Sequence, residues 1–218
     1  FNGLVSVVVK DNRELRTCLM NDPTTETAFQ FFDRTKTLFS GTDSVRYGRF
    51  AINFVVPKDI NYSGEQGLIT LFAYNADGSE TAHGESEHFT VGGSEEIFND
   101  SIGPSVYCYL NTPQFVNGGD VNSTPFFVAE IRDSDGINAS GAGIGHDMML
   151  FIDNDVDRQY SLNDNFQYDF GSYTSGSTYY SIPELTPGRH RLRFRVWDIM
   201  NNPTTTTLQF NVVSGLSP

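Results

Sequence analysis

The chain is short of cations, cysteine and histidine, and each shortage removes a class of function. Lys and Arg number 14 against 27 Asp and Glu, leaving a formal net charge of −13 over 218 residues. Such a polyanion is repelled by nucleic acid and by anionic membrane surfaces as a whole, so nucleic-acid binding is excluded as the main function. No apolar run approaches the ~20 residues that a membrane-spanning helix requires, and no membrane span is expected. The two cysteines, Cys18 and Cys108, are too few and too far apart for a disulfide framework. Cys108 alternates with Val106 and Leu110, which reads as a small buried hydrophobe, and no nearby His offers itself as a base. His83, His88, His146 and His190 are scattered and show no metal spacing. The opening "FNGLVSVVVK" has no initiator Met, basic n-region or cleavage site, and starts inside a strand, as a piece of a longer polypeptide would.

What the chain has in quantity is period-two alternation, with helical periodicity almost absent. Hydrophobic residues at 38% and aromatics at 13% indicate a folded protein, with room for one large β domain or two of ordinary size. Val5, Val7 and Val9 alternate with Ser6 and Val8. Phe50, Ile52, Phe54 and Val56 do the same until Pro57 ends the run. "GLITLFAYNADGSE" (67–80) reads as a strand entering a hairpin turn at "NADG", and "HFTVGG" (88–93) closes this first set. The polar stretch 92–104 is bounded by Gly and Pro and reads as a linker. A second strand set follows: "SVYCYLN", "FFVAEIRD", "HDMMLFID", "HRLRFRVWD" and "TTLQFNVV". The expected fold is all-β, with two tandem immunoglobulin-like β-sandwich domains at 1–93 and 104–218 and a linker at 94–103.

One loop, "SDGINASGAGIGHDMML" (134–150), is rich in glycine and in polar side chains. A phosphate cradle would need a helix N-terminus after "GAGIG", and an apolar strand follows instead. An EF-hand fails because Gly136 falls too early and no Glu closes the loop. A looser calcium site passes these tests: Asp133 and Asp135 leave one strand end, while Asp198 and Asn201 sit at another that a sandwich brings near. The commoner role of such side chains is to bond turn backbone, and that role is preferred. His146, beside Asp147, is a candidate base or binding residue, although a lone His at a strand start is more often structural. The loop is expected to be a long ordered connection between strands B and C of the second sandwich. Met148, Leu150 and Ile152 would continue as the buried face of strand C.

The stretch "RHRLRFRVWD" (189–198) places His190, Leu192, Phe194 and Val196 on one strand face. Arg189, Arg191, Arg193, Arg195 and Trp197 fall on the other. In so acidic a chain this is a concentrated cationic stripe, suited to an anionic glycan or lipid headgroup. Its ordinary role would be to pair with acidic and aromatic residues on adjoining strands, Arg stems covering Trp197, and this role is preferred.

Several long blocks carry a family resemblance: "FFDRTKTLFSG" (31–41), "FAINFVVPKDINY" (50–62), "GINASGAGIGHDMMLFID" (136–153) and "LNDNFQYDFGSYTSGSTYYSIPELTPGRHRLRFRVWDIMNN" (162–202). With the spacing between them, they resemble the C-terminal part of gingipain-like cysteine peptidases that serve as sortases of the type IX secretion system. The resemblance covers nearly the whole chain. It implies a parent at the outer-membrane surface of the bacterial cell envelope, which removes the sorting domain of secreted cargo and attaches the cargo to anionic lipopolysaccharide. It places the catalytic Cys and His in an upstream domain, so no catalytic residue carries over to Cys18 or Cys108. No cofactor is required. The partners it implies are type IX secretion components or cargo proteins. The other reading is a stand-alone cell-surface adhesin or glycan-binding module.

Overall fold

The computed structural model describes residues 1–93, 100–141 and 145–216. The protein is all-β, and its one helical element among these residues is a 3-10 turn at Asn163–Asn165. The strands form two groups, one before residue 93 and one after residue 100.

In the first group, β1 (Gly3–Lys10) lies inside an antiparallel sheet of order β4-β1-β5-β6, with β4 at Thr37–Val45, β5 at Leu68–Tyr74 and β6 at Thr81–Ser86. Val5, Val7 and Val9 are buried on one face, as their alternation predicts. The β5–β6 hairpin turns through "NADG", where Gly78 takes φ 71°. A separate ribbon pairs β2 (Glu14–Thr17) with β3 (Gln30–Asp33).

Two expected strands do not form. Residues 50–56 run without a ladder, because both edges of β1 are taken by β4 and β5. The alternating side chains pack instead: Ile52 and Phe54 lie against the core, and Phe54 stacks on Phe39 at 5.1 Å. The segment 88–93 contributes only an isolated bridge, Thr90 to Gln66. Of the expected linker, residues 94–99 lie outside the described residues.

The second group is a two-sheet sandwich. One sheet has the order β12-β13-β9-β7, using β12 (Gln167–Tyr168), β13 (Ser175–Ser181), β9 (Phe126–Arg132) and β7 (Ser105–Leu110). The other has the order β11-β10-β14-β15-β8, using β11 (Gln159–Ser161), β10 (Met149–Ile152), β14 (Gly188–Trp197), β15 (Pro203–Val212) and β8 (Asp120–Val121). With β7 and β9 as strands A and B, β12 and β13 as D and E, and β10, β14 and β15 as C, F and G, this is the immunoglobulin order. The inner faces interdigitate: Phe127, Ala129 and Ile131 of β9 are buried opposite Leu192, Phe194 and Val196 of β14, with Phe127 and Phe194 ring centroids 5.3 Å apart. Met148, Leu150 and Ile152 are all buried, as expected of strand C.

The two groups pack on one another. Phe39 stacks on Phe54 on one side and on Tyr168 of β12 on the other, 5.1 Å to each. A Cβ at Gly41 would lie 2.4 Å from the Phe39 ring, so only glycine lets that ring lie across its own strand. The Gly171 amide donates to the Thr42 carbonyl at 3.0 Å, adding a backbone tie beside the stack. Phe39→Ala therefore removes packing from both groups at once. It is expected to cost about 3–5 kcal/mol, read as a lowered urea midpoint; a midpoint equal to that of the unsubstituted chain would show that the stack does not join the two groups.

Candidate functional site

The chemistry-bearing side chains gather where the second sandwich meets residues 57–62. Pro57 is buried and ends the extended segment, and the Lys58 amide donates to the Ile199 carbonyl at 3.2 Å. This holds Asp59 against the ends of β9 and β14. Asp59 Oδ2 lies 3.0 Å from Asn138 Nδ2 and 2.5 Å from His146 Nδ1, and Oδ1 lies 3.1 Å from Asn201 Nδ2. Its side chain keeps only 12% of its exposure, so these donors replace water that the carboxylate has lost. The His146 ring packs on Trp197, centroids 4.3 Å apart. Asn138 is fully buried, and its Oδ1 accepts from the Ser140 amide and hydroxyl. His146 thus has a structural partner across the seam.

The connection from β9 to β10 is anchored before it reaches His146. Ile137 bridges to Asp198, and the Asn138 amide donates to the Trp197 carbonyl at 3.0 Å. Residues 142–144 of "GAGIG" lie outside the described residues. Gly136 takes φ 127° with Ile199 and Tyr173 close by, a backbone position that L side chains rarely adopt.

The four calcium candidates lie near one another: the charges of Asp135 and Asp198 both act on Asp133, and the Asn201 backbone amide donates to the Asp198 carbonyl at 3.2 Å. Asp198 Oδ1 accepts from the Met200 and Asn202 amides, and its Oδ2 accepts from Asn202 Nδ2. Asp133 Oδ1 accepts from the Asp135 and Gly136 amides. Burial raises the Asp133 carboxyl above the usual carboxylate range; those amides oppose the rise, and the like charges of Asp198 and Asp135 add to it. Asn201, at φ 71°, sends its amide to Asp59, while Asp135 is exposed. The donors to Asp133 Oδ1 and Asp198 Oδ1 are turn amides, the arrangement by which Asx side chains stabilise turns, and the Asn202 side chain completes the set at Asp198. Among the described residues no group of three or more His, Cys, Asp or Glu is arranged to hold a metal.

The arginine stripe runs along β14, facing away from the core. Arg193 lies 4.4 Å over the Phe151 ring; Arg195 lies 5.8 Å from Phe151 and 5.6 Å from Trp197. Arg195 Nη2 donates to the Gly145 carbonyl at 3.0 Å, joining the stripe to the His146 cluster. The expected aromatic neighbours are therefore present. Ion pairs to acidic neighbours are not: among the described residues no carboxylate lies within 4.0 Å of Arg189, Arg191, Arg193 or Arg195, and Asp147 is near enough to Arg195 only for the charge to act on it. Burial raises the Asp147 carboxyl, with the charges of Arg195 and His146 opposing it. His190, on the other side of the strand, donates toward Asp153 and lies 2.8 Å from the Thr186 carbonyl, a structural role.

Both cysteines are free. Burial pushes the Cys108 thiol up to about 12. Cys18 is exposed, next to the β2–β3 ribbon.

No protein-family model matches the chain, and no curated protein matches it. Among solved structures, the dimeric latent PorU from Porphyromonas gingivalis is similar over 100% of this chain, with 34% identity and a TM-score of 0.53. The chain spans 20% of the length of that protein. The endo-beta-1,4-mannanase from Thermotoga petrophila matches 50% of this chain and 20% of its own, at 12% identity and a TM-score of 0.33, too low to carry an argument.

Asp59 and the cysteines give two expected outcomes. Asp59→Ala leaves the Asn138 and Asn201 amides without their acceptor and is expected to cost about 1–3 kcal/mol. Trp197 is the chain's sole tryptophan, so its emission reports on this seam directly; the variant should shift it to the red, and an unchanged spectrum with unchanged stability would remove Asp59 from that role. In a thiol titration at neutral pH the native chain should show Cys18 alone, and the denatured chain both cysteines, because Cys108 is buried and held as the unreactive thiol. Rapid modification of both in the native state would contradict that assignment.

Proposed function

We propose that the chain is the non-catalytic β region of a type IX secretion sortase, used in docking cargo or partner proteins of the secretion machinery. The observation that carries this reading is the similarity to PorU along the entire chain at 34% identity. The family that the sequence blocks resemble and the solved neighbour agree. The all-β fold also suits the reading: immunoglobulin-like sandwiches present broad faces and end loops, and binding surfaces are commonly built on them. The chemistry points the same way. Cys108 is a core residue with a protonated thiol, and His146 and His190 are each committed to a carboxylate of the fold. On this reading the parent acts in the bacterial cell envelope, at the outer-membrane surface, and its peptidase chemistry belongs to another part of the polypeptide.

The purified chain is expected to leave a type IX sorting-domain substrate uncut. Removing residues 1–218 from the parent reading frame should impair capture of cargo or partner proteins while leaving cleavage of a short peptide substrate intact. Cleavage by the purified chain that disappears with Cys18→Ala or Cys108→Ala would overturn the non-catalytic assignment, and undiminished capture by the truncated parent would overturn docking.

A further inference from the structure

We propose that the outer face of the β11-β10-β14-β15 layer binds an extended acidic peptide segment of a partner protein, through Arg191 and Arg193 with Arg189 and Arg195 at the two ends. The inference rests on the docking reading above and supplies its surface and the partner's chemistry. Strand register fixes what shares the face. Thr205, Arg195, Met149 and Ser161 form one row across the sheet, and Thr207, Arg193, Phe151 and Gln159 form the next. Arg191 pairs with Gln209, and Arg189 with Asn211. These positions contain no carboxylate. Among the described residues, acidic side chains stand at the margins: Asp153 accepts from His190 Nδ1 and the Arg191 amide, Asp120 accepts from Asn211 Nδ2, and Asp147 stands near the Arg195 end, where the arginine's charge acts on it without an ion pair. A chain of net charge −13 thus gathers four arginines on one sheet face, and among the described residues none of the four is in an ion pair.

The repeat along β14 sets the ligand's shape. Side chains two residues apart on one strand face lie about 6.6–6.8 Å apart, and an extended peptide with an acidic residue at every second position repeats its carboxylates at the same interval. Guanidinium and carboxylate meet as a bidentate pair, the strongest polar contact available to these side chains. Arg193 is already held over Phe151, so it loses less rotamer freedom on binding than a free side chain. Since β14 has hydrogen-bonded neighbours on both sides, the peptide lies across the face and does not extend the ladder. An open cavity of about 450 Å³, whose lining includes Arg189, Arg191 and Gln209 together with Asp153, His190 and Phe210, adjoins the stripe at its N-terminal end. An anionic glycan fits less well: sugars need open aromatic faces, and here Arg193 covers Phe151 while His146 covers Trp197.

The test is fluorescence anisotropy with the chain and a labelled ten-residue peptide of alternating Glu and Thr, in low salt. A peptide of the same composition with its Glu residues in one block is the register control, and tetragalacturonate, added as a competitor, represents an anionic glycan. Saturable binding of the alternating peptide is expected, weaker for the blocked one and weakened by added NaCl. Arg191→Gln should lower affinity about tenfold, and the Arg191→Gln/Arg193→Gln pair about a hundredfold. The Arg191 side chain is exposed, so the single variant keeps the test readable if the double one fails to fold. Absence of saturable binding overturns the proposal, as does equal binding by a folded double variant. Equal affinity for the blocked peptide, or tighter binding of tetragalacturonate, also overturns it. Where the peptide fails to bind yet the parent carrying the double substitution still captures cargo, the docking reading stands and this inference falls.

Discussion

A single carboxylate, that of Asp59, takes hydrogen bonds from Asn138, His146 and Asn201, and the placement of the surrounding elements follows from it. A carboxylate withdrawn from water costs several kcal/mol unless donors replace the solvent, so a seam built on one tolerates few alternative arrangements. Asn138 pins the start of the β9–β10 connection, Asn201 pins the turn after β14, and His146 carries the contact onward to Trp197. The aromatic stack of Phe54, Phe39 and Tyr168 supplies apolar area to the same junction, while the Asp59 bonds fix its orientation.

The core of the second sandwich was legible because most of its strands alternate a buried face with a more exposed one. Leu192, Phe194 and Val196, Leu208, Phe210 and Val212, and Met148, Leu150 and Ile152 all lie inside as alternation predicts. Alternation reports a buried face, however, and not a hydrogen-bonded neighbour. Residues 50–56 have the face and lack the neighbour, which is why a segment that reads as a strand is an extended cover over Phe39. β4 shows the converse. "TLFSGTDSV" is too polar to announce itself, yet β1 supplies a ladder along nearly its whole length. β13, "SGSTYYS", is recruited in the same way by β9.

The site was half legible. His146, Trp197, Asp198 and Asn201 stand out because unusual residues at strand ends invite a chemical question, and the fold does bring them together. Asp59 carries no local signal, since "PKDIN" reads as any polar turn. Its partners lie 79, 87 and 142 residues further along the chain, and only the tertiary fold selects it. The arginine stripe was read correctly as a stripe, but the carboxylates expected to neutralise it were not where strand pairing would have put them. Pairing of a face with its neighbours depends on register, which the composition of one strand does not encode.

The first strand of the sandwich is divided between its two layers. β7 pairs with β9 in one sheet, and then β8 crosses to the other and runs parallel to β15. Gly118 donates to the Gln209 carbonyl, Asn211 to Gly119 and Val213 to Val121, so this short junction is held by backbone bonds lying across the strand direction. Because the two strands run parallel, tension applied before β7 and after β15 pulls them past one another lengthwise. The bonds are then strained together, where an antiparallel terminal pair pulled from one end would open them in succession. The last closure of the sheet is therefore also the point at which the sandwich resists being drawn out along its chain.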